Sequence, residues 1–354
     1  MEGTAEVVRR PRMIPRIAVV GLGYWGPNLL RVLFERTDVD VRWICDSDRT
    51  RVDRLARRYP SVRTTQSLED VLADPAVDAV VLATPVHTHY ALAKRCMEAG
   101  KHTFVEKPLA ASTAEAADLI DYAGQDLVLM CGHTFLYSPP VRAVKSLIDE
   151  GELGDIYFVS SSRVNLGLHQ RDVSVVWDLG PHDFSILLYW LGCLPTRIRA
   201  TGRDSIVPGI ADVAFVTLEF GSGVIANVEL SWLAPSKLRR TVIVGSKKMV
   251  VYEDGSAEAI KIYDRGVEYK DPETFGEWHL SYRSGDILSP NLASQEPLAV
   301  QIGAFVQAIR TGERPEHGLS LALDVVRLAE AADRSLDNGG AQVQLGDELE
   351  RLLA

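Results

Sequence analysis

Residues 16–46 read RIAVV GLGYWG PNLLRVLFER TD VDVRWICD, and this stretch decides the fold. Ile17 to Val20 form a short apolar run, Gly21, Gly23 and Gly26 supply a GxGxxG, Pro27 to Arg36 has helical periodicity, and Val39 to Cys45 is a second apolar run. The order is strand, glycine turn, helix, strand. Each glycine has a separate reason to be there: Gly21 permits the tight turn, Gly23 lets backbone approach a pyrophosphate, and Gly26 lets the helix pack close to the strand. Phosphates would sit on free N–H groups at the helix start, with Tyr24 and Trp25 in the same turn. Asp46 lies 20 residues past the last glycine, where a carboxylate accepts hydrogen bonds from ribose hydroxyls. The stretch is read as a dinucleotide site.

Outward from it, 354 residues suggest two domains with a cleft, and 46% apolar residues suit a globular protein with a well-buried core. A net charge of -10 disfavours nucleic-acid and anionic-membrane partners, which would repel most of the surface. Cys45, Cys96, Cys131 and Cys193 lie far apart without a CxxC, so they are expected to be buried thiols in a reducing cytoplasm, neither a zinc site nor a disulfide framework. The longest apolar runs, such as Ser185 to Leu194, fall short of the roughly 20 residues of a membrane helix. Arg9-Arg10 before an apolar segment has the look of a twin-arginine signal, but that segment is the first strand and no small-residue cleavage site follows. Residues 1–15 are expected to be a flexible tail.

Alternation continues after Asp46. A helix carries Arg51, Arg54, Arg57 and Arg58, either as a solvated face or with Arg51 flanking the adenine. Asp46 would repel a 2′-phosphate, so NAD is favoured over NADP. A short strand at 62–65, a short helix at 67–72, the buried strand Ala79 to Leu82, a helix Tyr90 to Ala99 ending at Gly100, and the strand His102 to Val105 follow. Strand ends deliver Thr84-Pro85, with His87 and His89 nearby, and Glu106-Lys107-Pro108, all at the carboxyl edge where a nicotinamide would lie. His87-x-His89 lacks a third ligand at recognisable spacing, so no metal is expected. Lys107 is either a turn lysine or a cleft residue held by Pro108. With a helix at 112–124 and a strand at 127–131, six strands alternate with helices, which predicts an α/β doubly wound parallel sheet, the Rossmann fold, over 16–133.

From 134 to 354 an α+β domain for substrate binding and oligomerisation is expected. Its helix 138–150 starts at Pro139-Pro140, and a strand covers 156–164. A polar loop with Asn165, Gly167, His169 and Arg171 leads to Trp177-Asp178-Leu179-Gly180-Pro181-His182 and an apolar helix ending at Gly192. Asp178 and His182 share a helix face if both are helical, and the carboxylate could then hydrogen-bond the imidazole and raise its pKa for proton transfer. Equally, spacing allows Asp178 as an N-cap, Pro181 in the first turn and His182 as a satisfied core histidine. Alternating runs at 214–220, 224–230, 241–245, 249–252 and 259–263 indicate a mostly antiparallel open sheet, with helices at 298–310 and 319–336 closing the chain. One face of such a sheet needs a cover, which predicts a homodimer or homotetramer through it.

Taken together, Gly21-Leu22-Gly23-Tyr24-Trp25-Gly26, Thr84-Pro85, Glu106-Lys107-Pro108 and Asp178-x-x-x-His182 resemble the Gfo/Idh/MocA family of nicotinamide-dependent sugar oxidoreductases over nearly the whole chain after residue 15. The resemblance implies that Lys107 and His182 meet beside the nicotinamide, with Asp178 supporting His182 as acid/base. It implies NAD-dependent hydride transfer at a ring secondary alcohol or ketone, C3 for instance. Many members carry a glycine pair before the aspartate and an aspartate three residues after the histidine. Here Val173-Ser174-Val175-Val176 and Ser185 stand instead, a pattern resembling the branch that takes nucleotide-linked or activated sugars more than the inositol and polyol dehydrogenases. Tyr137, Arg163, Asn165, His169 and Trp177 are the candidates for sugar or phosphate contacts. The rival of another class is a non-catalytic dinucleotide-binding regulator.

Overall fold

The computed structural model describes residues 14–167, 169–170, 172–269 and 280–345, so residues 1–13 of the expected tail, Arg9 and Arg10 among them, and loop residue Arg171 lie outside the described residues. The chain divides into two compact units, one holding residues up to Ala111, Glu115–Gly132 and Leu298–Leu319, the other Ser112–Ala114, His133–Pro297 and the rest from Ser320.

In the first unit, β1 (Arg16–Val20), α1 (Gly26–Phe34), β2 (Asp40–Cys45), α2 (Arg49–Arg58), β3 (Arg63–Thr65), α3 (Leu68–Leu72), β4 (Ala79–Leu82), α4 (Val86–Glu98), β5 (His102–Val105), α5 (Thr113–Ala123) and β6 (Leu129–Cys131) alternate along the chain. The strands form one parallel sheet in the order β3-β2-β1-β4-β5-β6. Strands β1, β4, β5 and β6 are buried almost throughout, because helices covering both faces of a parallel sheet leave no solvated side, while the edge strand β3 stays largely exposed. Gly21 adopts φ +91°, and a Cβ there would strike the Ala83 carbonyl; a Cβ on Gly26 would strike the Gly21 carbonyl. At Gly23 an added Cβ would meet only Arg51 Nη1, at 3.6 Å.

Helix α4 begins at Val86, four residues before the expected Tyr90. Pro85 is extended at the cap position, and the Thr88 hydroxyl donates to the Pro85 carbonyl at 2.7 Å, closing the first turn with no conventional cap residue.

The second unit opens with a 3-10 turn (Thr134–Tyr137), α6 (Pro139–Asp149), β7 (Ile156–Leu166) and α7 (Val175–Leu191). It continues through β8 (Arg197–Arg203), β9 (Val213–Glu219), β10 (Ile225–Ser231), β11 (Leu233–Gly245), β12 (Met249–Glu253), β13 (Ile260–Tyr269) and β14 (Leu280–Leu288), and after α8 (Pro297–Thr311) ends with α9 (Leu319–Asp337) and β15 (Val343–Gln344). The nine-stranded sheet runs β14-β13-β12-β11-β7-β10-β9-β8-β15, antiparallel except for the β7–β10 pair. Strand β11 starts well before the expected residue 241: its first half is polar, contains Pro235, and is offset by a register shift between Leu233 and Leu238.

Two expectations are corrected. Ser174, not Asp178, occupies the N-cap position of α7, so Pro181 lies inside the helix and leaves the Trp177 carbonyl without its helical donor. Helix α8, expected in the second domain, belongs to the first unit: Phe305 packs edge-on against Phe104 at 5.6 Å, and Arg310 pairs with Asp38 at 3.1 Å.

Space at the three glycines differs, so their substitutions should too. Gly26→Ala is expected to cost more than about 2 kcal/mol, whereas Gly23→Ala should stay within about 0.5 kcal/mol; urea unfolding of the two variants beside the wild type measures both.

Candidate active site

The sheet of the first unit positions every residue of the dinucleotide motif. Thr65, Cys45, Val20, Leu82, Val105 and Cys131 pair in one row, strand to strand, so the residues following them share one edge. Asp46 is buried there. One of its oxygens accepts from the Leu22 N–H at 2.6 Å and the other from the Asp48 N–H at 2.8 Å, while Arg51 lies 3.5 Å away. The carboxylate thus fixes the glycine turn. Arg51 is spread between Asp46 and Asp48 and borders Gly23. The open side of Gly23, the exposed Tyr24 ring and the neighbouring Trp25 leave backbone accessible where a pyrophosphate would bind, so the turn fits a dinucleotide.

At the same edge, Glu106 and Lys107 follow β5. Glu106 is buried, and a Cβ on Gly132 would lie 2.9 Å from its Oε2, so glycine is required opposite it. Burial pushes the Glu106 carboxyl up to about 7, against the opposing pull of the Lys107 charge, the Lys107 N–H and the Trp25 side chain. Lys107 is half-buried, Thr84 is half-buried, and Pro85 and His87 are exposed. His89 is not available to a cofactor. It is 1% exposed, with its ring nitrogens 2.8 Å from the carbonyl oxygens of Pro108 and Thr84, and burial pulls its pKa below the ordinary histidine value. It braces the ends of β4 and β5 together.

In the second unit, α7 carries Asp178 and His182 one turn apart, both half-buried. Trp232, just past β10, donates its indole N–H to Asp178 Oδ2 at 3.0 Å, and the His169 ring lies 5.3 Å from the Trp232 ring. His182 meets the Phe135 ring edge-on at 5.1 Å, and its Nδ1 is enclosed. Three expected sugar contacts are redirected into the interior. Trp177 is buried with its indole N–H donating to Asp333, Tyr137 is buried under the Arg142 guanidinium, and Arg163 is buried in an ion pair with Asp183. Asn165 and His169 keep partial exposure. Trp232, Phe135, Asp183 and Asp333 escaped the sequence reading. Only Asp183, adjacent to His182, gave any local signal.

A Rossmann unit with Glu106-Lys107-Pro108 after β5, in one chain with an α+β unit that carries an aspartate–histidine pair, has the make-up of a nicotinamide-dependent oxidoreductase. Residues 15–133 match the model of the oxidoreductase family with an NAD-binding Rossmann fold, and residues 141–251 match the GFO/IDH/MocA C-terminal domain. The chain belongs to the Gfo/Idh/MocA family of NAD-binding oxidoreductases. It is similar to the scyllo-inositol 2-dehydrogenase (NAD(+)) of Bacillus subtilis (strain 168), with 31% identity over 242 residues, 62% of this chain and 68% of the relative. It is also similar to the UDP-N-acetylglucosamine 3-dehydrogenase of Acidithiobacillus ferrooxidans, with 31% identity over 205 residues, 58% of this chain and 63% of the relative. Among solved structures, GenD2 from gentamicin A biosynthesis in complex with NAD superposes with a TM-score of 0.80 at 27% identity, over 96% of this chain and 100% of that one. Among the described residues no helix is long and apolar enough to cross a membrane. Three cysteines are buried as expected, but Cys193 is exposed.

The raised Glu106 carboxyl makes stability pH-dependent in a definite direction. The folded state holds this proton from about 4.5, its ordinary value, up to about 7, so stability is full below that window and falls as pH rises through it. The loss amounts to about 3 kcal/mol at most. Glu106→Gln should flatten this fall, measured as the difference in chemical denaturation between pH 4.5 and pH 8.

Proposed function

We propose that the protein transfers a hydride between NAD and a ring secondary alcohol or ketone of a sugar carried on a nucleotide, with Lys107, His182 and Asp178 as the reacting set. The observation that carries this reading is the setting of His182: its Nδ1 is enclosed beside Phe135, which leaves Nε2 as the nitrogen able to meet a substrate. NAD, when bound, accepts or returns the hydride. In the oxidation direction His182 Nε2 takes the hydroxyl proton as the carbinol carbon loses its hydride, and in reduction it gives that proton back. Lys107, as an ammonium, stabilises alkoxide character on the same oxygen. Asp178, oriented by Trp232, favours the protonated imidazole.

Asn165 and His169 are proposed to contact the sugar, and Gly21, Gly23, Tyr24, Trp25, Gly26, Asp46, Arg51, Thr84, Pro85, His87 and Glu106 to form the cofactor side. The substrate class is supported by the named activities of the relatives on inositol and on a UDP-linked amino sugar, and by the absence of the glycine pair at 173–176. Oxidation at C3 follows the second of those relatives.

A homodimer through the open sheet, in a homodimer or homotetramer, belongs to the same reading. The sheet face opposite the helices carries a cross-strand row, Ile225, Phe158, Val244, Met249, Tyr263 and Ile287, one residue from each of six neighbouring strands. Ile225, Phe158 and Ile287 are exposed. An apolar stripe of this length on a soluble protein calls for a cover, and a second copy supplies an identical stripe. A cytoplasmic location suits the NAD dependence and the unpaired thiols.

NADH absorbance should rise on adding UDP- or dTDP-linked sugars with NAD, or fall in the reverse assay with a 3-keto sugar; silence across free sugars, inositols and nucleotide sugars, with NAD still binding, would leave the non-catalytic regulator. His182→Ala should lower kcat by about 10²–10⁴-fold with the NAD dissociation constant unchanged. Phe158→Asp should shift the species seen by light scattering from dimer or tetramer to a smaller form, and a wild-type monomer at all concentrations would sink the sheet-face assembly.

A further inference from the structure

Behind the wall on which His182 rests lies a buried ionic network. Arg163, on β7, and Asp183, on α7, are only 4% and 2% exposed, and Arg163 Nε donates to Asp183 Oδ2. Ser161 Oγ donates to Asp183 Oδ1 at 2.7 Å and lies 2.9 Å from the Thr241 hydroxyl. The Arg163 guanidinium sits over the Phe135 ring, 4.7 Å from its centroid, and the Arg239 guanidinium stands at 5.9 Å. Arg239 is itself paired with Asp254 at 2.8 Å. The Phe135 ring then meets the imidazole of His182, the residue next to Asp183.

A buried ion pair is a poor stabiliser, since desolvation of both charges offsets their attraction and apolar replacements are often neutral. Its placement points to another role. The pair reaches His182 by two routes: through the helix backbone, because Asp183 ties that turn of α7 to β7, and through Phe135, held between guanidinium and imidazole. We propose that Arg163 and Asp183 are positioning residues for His182, fixing its ring and keeping the ground behind it electrically neutral so that the imidazole can gain and lose a proton. This rests on His182 being the acid/base.

Among the described residues of this unit, the charged and titratable groups linked to His182 through α7, Phe135 or the buried pair are Asp178 and Asp183 on α7, Arg163 on β7, Arg239 on β11 with its partner Asp254, Tyr252 on β12 near that pair, and His169 beside the Trp232 that bonds Asp178. Arg239 keeps its own carboxylate, so the charge balance turns on Arg163 and Asp183. Asp183→Asn leaves an uncompensated cation behind the imidazole, which disfavours the imidazolium. Arg163→Met leaves an uncompensated carboxylate, which favours it.

The test is the pH profile of kcat/KM in the oxidation direction, where the neutral imidazole is the active form. The acidic limb should move to lower pH in Asp183→Asn and to higher pH in Arg163→Met, each by about one pH unit at the effective dielectric of a protein interior. In both variants kcat should fall about 10-fold with NAD affinity unchanged, a split that general loss of folding would not produce. Shifts in the same direction, or none, would overturn the proposal. Should either variant fail to fold, the double variant Arg163→Met with Asp183→Leu decides: a limb at the wild-type pH with kcat still lowered supports positioning, and wild-type kcat refutes it. Titration of the His182 ring by NMR in the single variants reads the same opposed shifts without turnover; if they appear while His182→Ala keeps its activity, the acid/base reading fails and the positioning one stands.

Discussion

The constraint on which the first unit depends is a single row of strand pairings. Thr65, Cys45, Val20, Leu82, Val105 and Cys131 lie side by side across the parallel sheet. Parallel register of this kind is forced by strands whose residues are buried on both faces, since a slip would displace side chains on both layers. Because the strands end together, Asp46, Gly21, Ala83, Glu106 and Gly132 form the next row, and the close approaches of that row select its residues. Gly21 accommodates Ala83, Gly26 accommodates Gly21, and Gly132 accommodates the Glu106 carboxyl. Glycine at these positions is a packing requirement. At Gly23 an added Cβ would meet only the Arg51 guanidinium tip, so packing makes no such demand there.

The second unit solves a different problem. Its sheet is antiparallel apart from β7 and β10, so each strand divides its side chains between a helix-covered face and an open one. On the covered face the middle of β7 is polar: Ser161 and Arg163 point toward α7 and require Asp183 to satisfy them. The helix is therefore keyed to the sheet in rotation as well as in position. A purely apolar contact would tolerate some rotation of α7, and with it of His182. Two hydrogen bonds to one carboxylate do not.

Most of the first unit was legible because its signals are local. Continuous apolar runs marked β4 and β5, the glycine turn marked β1 and α1, and Gly100, at φ +72°, marked the end of α4. The start of α4 was missed because its first turn is closed by a threonine hydroxyl on a proline carbonyl, a pairing that the usual cap residues do not announce. Helix α7 was misplaced at its start because Pro181 reads as a first-turn residue, whereas burial on both sides holds the helix through it. Strand β14 was missed altogether, and α8 was assigned to the wrong unit because its periodicity shows that it has an apolar face but not which core that face enters. Site chemistry was less legible than the elements carrying it. Tyr137, Arg163 and Trp177 are residue types that sugars favour, and nothing local distinguishes a sugar-binding arginine from one paired inside. The deciding partners stand 20 residues away for Arg163 and 156 for Trp177.

The Trp177 indole is committed to Asp333 and the Arg163 guanidinium to Asp183, whereas Asn165 and His169 keep partial exposure. The Trp232 indole adds a limit: by occupying one lobe of Asp178 it holds the carboxylate in a single orientation, so whatever that group does for the imidazole one turn along α7 it does from a fixed angle. The helical turn that carries Asp178 and His182 is thus held at both ends, by a tryptophan on one side and a buried guanidinium on the other.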